Sequence, residues 1–209
     1  MKSFSMLLER LALHLFDIGA IKFGAFKLKL HEKYPEAPLS PIYVDLGILR
    51  SHPEVMDEAV EAYMQELERI DPTVDLIADI PTAATPIVSI LMSKTRIPMI
   101  TPKKLKTHGI ASKIEGKFQA GQRVFLIDDL ITKAGSKLEA AETLEDSGLL
   151  VENILVLVDR EQGGVEILKK HDYNLYAIFK ITDLLHLYLE KEKISQEEYN
   201  ETIAYLKEN

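Results

Sequence analysis

From Val74 onward the chain alternates short apolar segments with amphipathic ones, and this alternation limits the fold more than any other feature. VDLIADI, IPMI, RVFLID, NILVLVD and LYAIF read as strands. Between them, TPIVSILMSK reads as a helix, as do GVEILKKH and a stretch with Leu138, Ala141 and Leu144 on one face and Gly148 at its end. Strands that are apolar on both faces must be covered on both, so the pattern implies an α/β fold: a parallel sheet of about five strands flanked by helices. Connections in such a sheet are right-handed, and ligands bind at the carboxyl ends of the strands.

The first part of the chain follows another grammar. Residues 4–18 carry Leu7, Leu8, Leu11, Leu15 and Ile18 at helical spacing. FGAFKLKL alternates as a half-exposed strand does, YPEAPLSP is a proline-punctuated loop, and IYVDL is a second short strand. Pro53 opens a helix whose apolar face is Met56, Val60, Tyr63, Leu67 and Ile70. Two helices finish the chain. The expected organisation is a single domain over 1–209, with an N-terminal helix and small hood over about 1–50 and the α/β core over about 70–180. No internal repeat or low-complexity tract interrupts it.

A formal charge of −8 argues against a general nucleic-acid or membrane-surface binder, since either needs a basic face. The absence of cysteine excludes disulfides, thiolate catalysis and cysteine-based zinc sites. No apolar run is long enough to span a membrane. The N-terminal segment carries Glu9, His14 and Asp17, unlike the clean apolar core of a signal peptide, so a cytoplasmic protein is expected.

The stretch VFLIDDLITKAGS sets Asp128 and Asp129 side by side at the end of a strand, where the sheet presents a ligand. Thr132, Lys133, Ala134, Gly135 and Ser136 then lead into a helix. Small residues, successive backbone N–H groups and the helix dipole favour a phosphate there, and two hydroxyls add donors. Carboxylates would repel that phosphate if they touched it. They suit the hydroxyls of a sugar, so the stretch reads as a sugar-phosphate site, with the acids on the diol and the loop on the 5′-phosphate. The spacing is neither that of a Walker A loop nor a dinucleotide fingerprint; an ordinary strand–loop–helix turn with surface acids is the alternative.

IDDLITKAGS resembles the phosphoribosyl-pyrophosphate (PRPP) motif of the type I phosphoribosyltransferases, with Lys133 and Ala134 departing from the commonest loop residues. Four further stretches resemble orotate phosphoribosyltransferases in order along the chain. FGAFKLK matches a motif whose binding lysine falls on Lys29. SPIYVDL matches a segment that packs on orotate, at Tyr43 and Val44. KKLKTHG matches a mobile catalytic loop, at Lys103, Lys106 and His108. DREQGG matches a turn whose arginine, here Arg160, binds the orotate carboxylate. A guanidinium fork suits a planar carboxylate, and seven Lys or Arg against one acid between Ser93 and Lys117 suit a pyrophosphate leaving group.

The resemblance implies transfer of the phosphoribosyl group of PRPP to orotate, giving orotidine 5′-monophosphate and pyrophosphate in pyrimidine biosynthesis. It implies Mg²⁺ held mainly by PRPP and water, with no direct protein ligand. It implies a homodimer whose mobile loop reaches the neighbouring site. Catalysis would fall to Lys106, His108 and Lys103. PRPP would be held by these with Lys29, Thr82, Ala83, Asp128, Asp129 and residues 132–136. Orotate would be held by Lys29, Tyr43, Val44, Thr132 and Arg160. With two helices closing the chain, no appended decarboxylase domain is expected. Four departures stand out: Pro102 for an arginine, Asp79 and Ala84 for glycines of the pyrophosphate turn, and Gly47 for an arginine. A phosphoribosyltransferase for another base, or a non-catalytic PRPP-binding paralogue, remain the alternatives.

Overall fold

The computed structural model describes residues 4–103 and 113–208; within that span the side chains of residues 29 and 30 are not described. The centre is a six-stranded sheet in the order β5-β4-β3-β6-β7-β8. Its strands are β3 (Leu76–Asp79), β4 (Met99–Pro102), β5 (Ile114–Glu115), β6 (Arg123–Ile131), β7 (Leu150–Asp159) and β8 (Asn174–Lys180). Five run parallel and β5 pairs antiparallel with β4 at the edge. The expected five strands are therefore all present. The sixth, β5, is two residues long, too short for any periodicity to reveal.

Alternate residues of each strand feed opposite faces, as the apolar runs require. Phe125, Ile127, Leu155 and Leu157 join a core shared with α1 (Met6–Asp17), α2 (Pro53–Ile70), α3 (Thr85–Thr95) and α6 (Ile181–Glu190). Val124, Leu126, Ile154 and Val156 join a second core with α4 (Gly135–Glu145) and α5 (Gly164–Lys170). Gly148 takes φ +84° at the turn out of α4, a conformation that suits glycine.

The hood is a two-stranded antiparallel ribbon of β1 (Ile21–Phe26) and β2 (Ser40–Val44). It packs on the first core rather than standing apart. Phe23 meets Phe16 of α1 at 6.2 Å and Tyr188 of α6 at 6.5 Å between ring centroids, and α7 (Gln196–Glu208) lies against β2. FGAFKLKL is not one strand: β1 ends at Phe26, and Lys29–Glu32 form a 3₁₀ turn. The buried ring of His31 explains the change. Its Nδ1 accepts from the Leu28 amide at 2.9 Å and its Nε2 reaches the Ala37 carbonyl at 3.1 Å, so one tautomer ties Leu28 to Ala37 across the loop between β1 and β2.

Candidate active site

The chain passes from β3 outward to β4, then crosses back to β6 on the other side of β3. Between the carboxyl ends of β3 and β6 the winding direction reverses, and a crevice opens there in any such sheet. Three turns border it: 80–84 after β3, 132–134 after β6 and 160–163 after β7.

At the end of β6 the two aspartates have different surroundings. Asp128 is buried, and its Oδ2 lies 2.5 Å from the ammonium of Lys137, with both side chains only 6% exposed. Its Oδ1 accepts from the Asp129 amide at 2.9 Å, and its carbonyl from the Tyr63 hydroxyl at 2.7 Å. Asp129 is half-buried. Burial, and then the negative charge of Asp128, push its carboxyl up to about 7, so it exchanges a proton near neutrality. The pair does not face outward as a matched couple: Asp128 is engaged inside the protein, and Asp129 is the more open of the two.

Beyond them, Lys133, Gly135 and Ser136 are exposed and Thr132 half-exposed. The first turn of α4 has no side-chain cap, which leaves its N-terminus open to an anion. Ala134 is buried at φ +11°, short of the left-handed region that the missing glycine would tolerate better.

The turn after β7 carries Arg160. Asp159 Oδ1 accepts from the Glu161 amide at 2.8 Å, and the Arg160 amide donates to Ile131 at 3.0 Å. Together these fix the turn to the end of β6. The Arg160 residue is 6% exposed, yet Nε and Nη2 have no hydrogen-bond partner among the described residues. Burial lowers the affinity of this guanidinium for its proton, opposed by the nearby Tyr205 of α7. Two buried donor nitrogens without partners amount to a recognition fork without its acceptor. Gly164 completes the arrangement, since a Cβ there would stand 2.8 Å from the Thr132 carbonyl and 2.7 Å from Ile131. Only a bare Cα lets the two turns touch.

The turn after β3 accommodates its departure from glycine. Asp79 is fully buried, and its carboxylate accepts from the hydroxyls of Thr85 and Thr101, which turns its charge into the sheet end. Thr82 and Ala83 are exposed, and Arg50 donates to the Thr82 carbonyl from the 3₁₀ turn Leu46–Ser51. A permanent cation thus braces the turn from three residues beyond Gly47.

Lys103 pairs with Glu115 at 2.6 Å, and its amide bonds to the Lys113 carbonyl at 2.8 Å. Lys106 and His108 lie outside the described residues, as does the side chain of Lys29. A cleft of about 330 Å³ runs between Pro81, Pro102, Lys103 and the Ser136 end of α4. Tyr43 and Val44 occupy opposite faces of β2. Tyr43 is 38% exposed with its ring 5.6 Å from that of Phe26, whereas Val44 is in the core and offers a ligand only its backbone.

Sequence reasoning missed Lys137, Arg50 and the hydroxyl of Tyr63. Lys137 did leave a signal. It lies four residues before Ala141 and seven before Leu144, on the buried stripe of α4, in a first turn where the helix dipole disfavours a cation.

No family model matches the chain. Among curated proteins, it is 37% identical to the orotate phosphoribosyltransferase of Methanopyrus kandleri, over 84% of this chain and 91% of that one. It is 32% identical to the uridine 5′-monophosphate synthase of Bos taurus over 97% of this chain, but spans only 41% of that longer protein. Among solved structures, UMP synthase of Leishmania donovani superposes with a TM-score of 0.84 at 33% identity, covering 96% of this chain and 42% of the other. Orotate phosphoribosyltransferase of Aeropyrum pernix superposes at 0.71 and 23% identity, covering 88% and 99%.

Proposed function

The chain belongs to the orotate phosphoribosyltransferases, and from that premise we propose how its own residues carry out the transfer of a phosphoribosyl group from PRPP to orotate. The observation that carries this reading is Arg160: a buried guanidinium with two free donor nitrogens beside the aspartate loop suits the carboxylate of orotate, a group that purine bases lack. Residues 132–136 take the 5′-phosphate at the open end of α4, and Asp129 accepts from the ribose hydroxyls. The turn at 81–84, braced by Arg50, lies against the pyrophosphate, and the loop lysines neutralise it.

In the displacement, the bond from the anomeric carbon to pyrophosphate breaks and its electron pair leaves on oxygen. The bond to the pyrimidine nitrogen forms from the opposite side, with oxocarbenium character between, and that nitrogen gives up its proton to solvent or to the departing pyrophosphate. The protein aligns the two partners and stabilises the departing charge. Mg²⁺, when bound, would supply further neutralisation of the pyrophosphate. In this reading it rides on substrate oxygens and water, with no direct protein ligand. Dimerisation with exchange of the loop that carries Lys103, Lys106 and His108, and a cytoplasmic location, belong to the same proposal; no described helix is long and apolar enough to cross a membrane.

The direct test is the fall in orotate ultraviolet absorbance on mixing protein, orotate, PRPP and Mg²⁺. A PRPP-dependent fall that Lys106→Ala abolishes is expected. No fall, with PRPP bound, would mean a site kept for another base or for regulation.

A smaller effect is expected at the pyrophosphate turn. Arg50→Ala should raise KM for PRPP about 5- to 10-fold, the worth of one charge-assisted bond at an exposed site, with KM for orotate within twofold. Equal rises in both constants would show that Arg50 supports the fold rather than this turn.

A further inference from the structure

Lys137 has no place in the mechanism above, yet it is the most constrained cation among the described residues. Its side chain bends back from the first turn of α4. The ammonium reaches Asp128 Oδ2 and the Leu130 carbonyl, each at 2.5 Å, with Ser136 Oγ at 3.5 Å. An ammonium so buried is unfavourable unless a carboxylate answers it, and among the described residues Asp128 is the carboxylate that does.

We propose that Lys137 is a positioning residue of the ribose site: it draws Asp128 into the protein and leaves Asp129 alone to receive the sugar diol. This rests on the reading of the site as one for PRPP. The groups that face Asp128 are Lys137 from α4, the Tyr63 hydroxyl from α2 and its neighbour Asp129. Each oxygen of Asp128 already holds a partner inside the protein and the residue is 4% exposed, so it presents almost no surface to sugar hydroxyls. Asp129 stands half-exposed at the carboxyl end of β6, and the charge of Lys137 acts on it less than burial and Asp128 do. Lys137 also cancels one of two negative charges directly beneath a polyanionic substrate, which lowers the repulsion that PRPP meets.

Steady-state kinetics on three variants test this. Lys137→Met releases an uncompensated carboxylate under the substrate, and KM for PRPP should rise on the order of tenfold, with KM for orotate within about twofold. Adding Asp128→Asn removes both charges together, and the double variant should recover most of that rise. Asp129→Asn alone should raise KM for PRPP at least as far as Lys137→Met. If Lys137→Met folds with an unchanged KM for PRPP, Lys137 serves packing alone and the proposal is overturned. If the single variant does not fold, the double variant decides: a KM for PRPP as high as that of Asp129→Asn would mean that Asp128 itself receives the sugar. An Asp129→Asn protein with ordinary KM for PRPP would instead overturn the ribose reading on which the proposal stands.

Discussion

Exchanging Arg160 for methionine should raise the melting temperature and abolish orotate turnover in the same protein. The buried guanidinium carries two donors that no described residue answers. An unpaired polar group in such a place is unfavourable by about 1–3 kcal/mol, and methionine fills similar volume without it. Each kcal/mol moves the melting point of a domain of this size by roughly 2–4 °C. In the complex proposed above the same two donors meet the carboxylate of orotate. Charge-assisted bonds of about 1.5–3 kcal/mol each make their loss worth on the order of 1,000-fold in kcat/KM for orotate. Thermal melting and the absorbance assay on one preparation measure both. Arg160→Lys keeps the charge but not the fork and should recover little. A methionine variant that melts lower would mean that the guanidinium has structural partners after all.

Asp129→Asn should weaken PRPP by on the order of 100-fold and flatten its pH dependence. The carboxyl of Asp129 sits at about 7 in the folded protein, raised by burial and by Asp128, against about 3.9 in an unfolded chain. The folded state therefore keeps a proton that the unfolded state has already lost. The stability this confers is present below about pH 4 and is gone once the pH has risen through about 7. Ligand binding runs the other way. A sugar diol donates to the ionised form, so affinity for PRPP should climb from about pH 6 to about pH 8 in the native protein. The substrate's own phosphate titrates near 6 and acts on both proteins alike, so the difference between the native protein and the Asp129→Asn variant carries the result. Parallel pH profiles for KM of PRPP would rule out Asp129 as the acceptor.

The sheet was legible because its signal is local and repeated. Each of the five parallel strands is an apolar run, and each lies where that run predicted. The strand–loop–helix turn proposed to hold the phosphate was legible for a related reason: strand end, acids, small residues and helix start are contiguous from Val124 to Ser136. What escaped depends on residues that meet only after folding. The neutralisation of Asp128 needs Lys137 from the next element, and the innocuous burial of Asp79 needs Thr85 and Thr101 from two others. Alternation in FGAFKLKL gave the faces of β1 but not its end, because His31 curls the chain from outside the pattern. The opposition of Tyr43 and Val44 could have been read from strand periodicity, since adjacent residues cannot share a face.

The naked contact between Gly164 and Thr132 makes the arginine turn and the phosphate turn a single mechanical part. On the proposed assignment of the two turns, a displacement of either is expected to move the other, which links the free energies of holding the base and of holding the sugar phosphate by the same amount in both directions. Redesign for a different nucleobase therefore cannot be confined to the 159–164 turn. Libraries that vary it with the 132–136 loop fixed would forfeit affinity for the donor with nearly every gain toward a new acceptor, and the two turns are best diversified together.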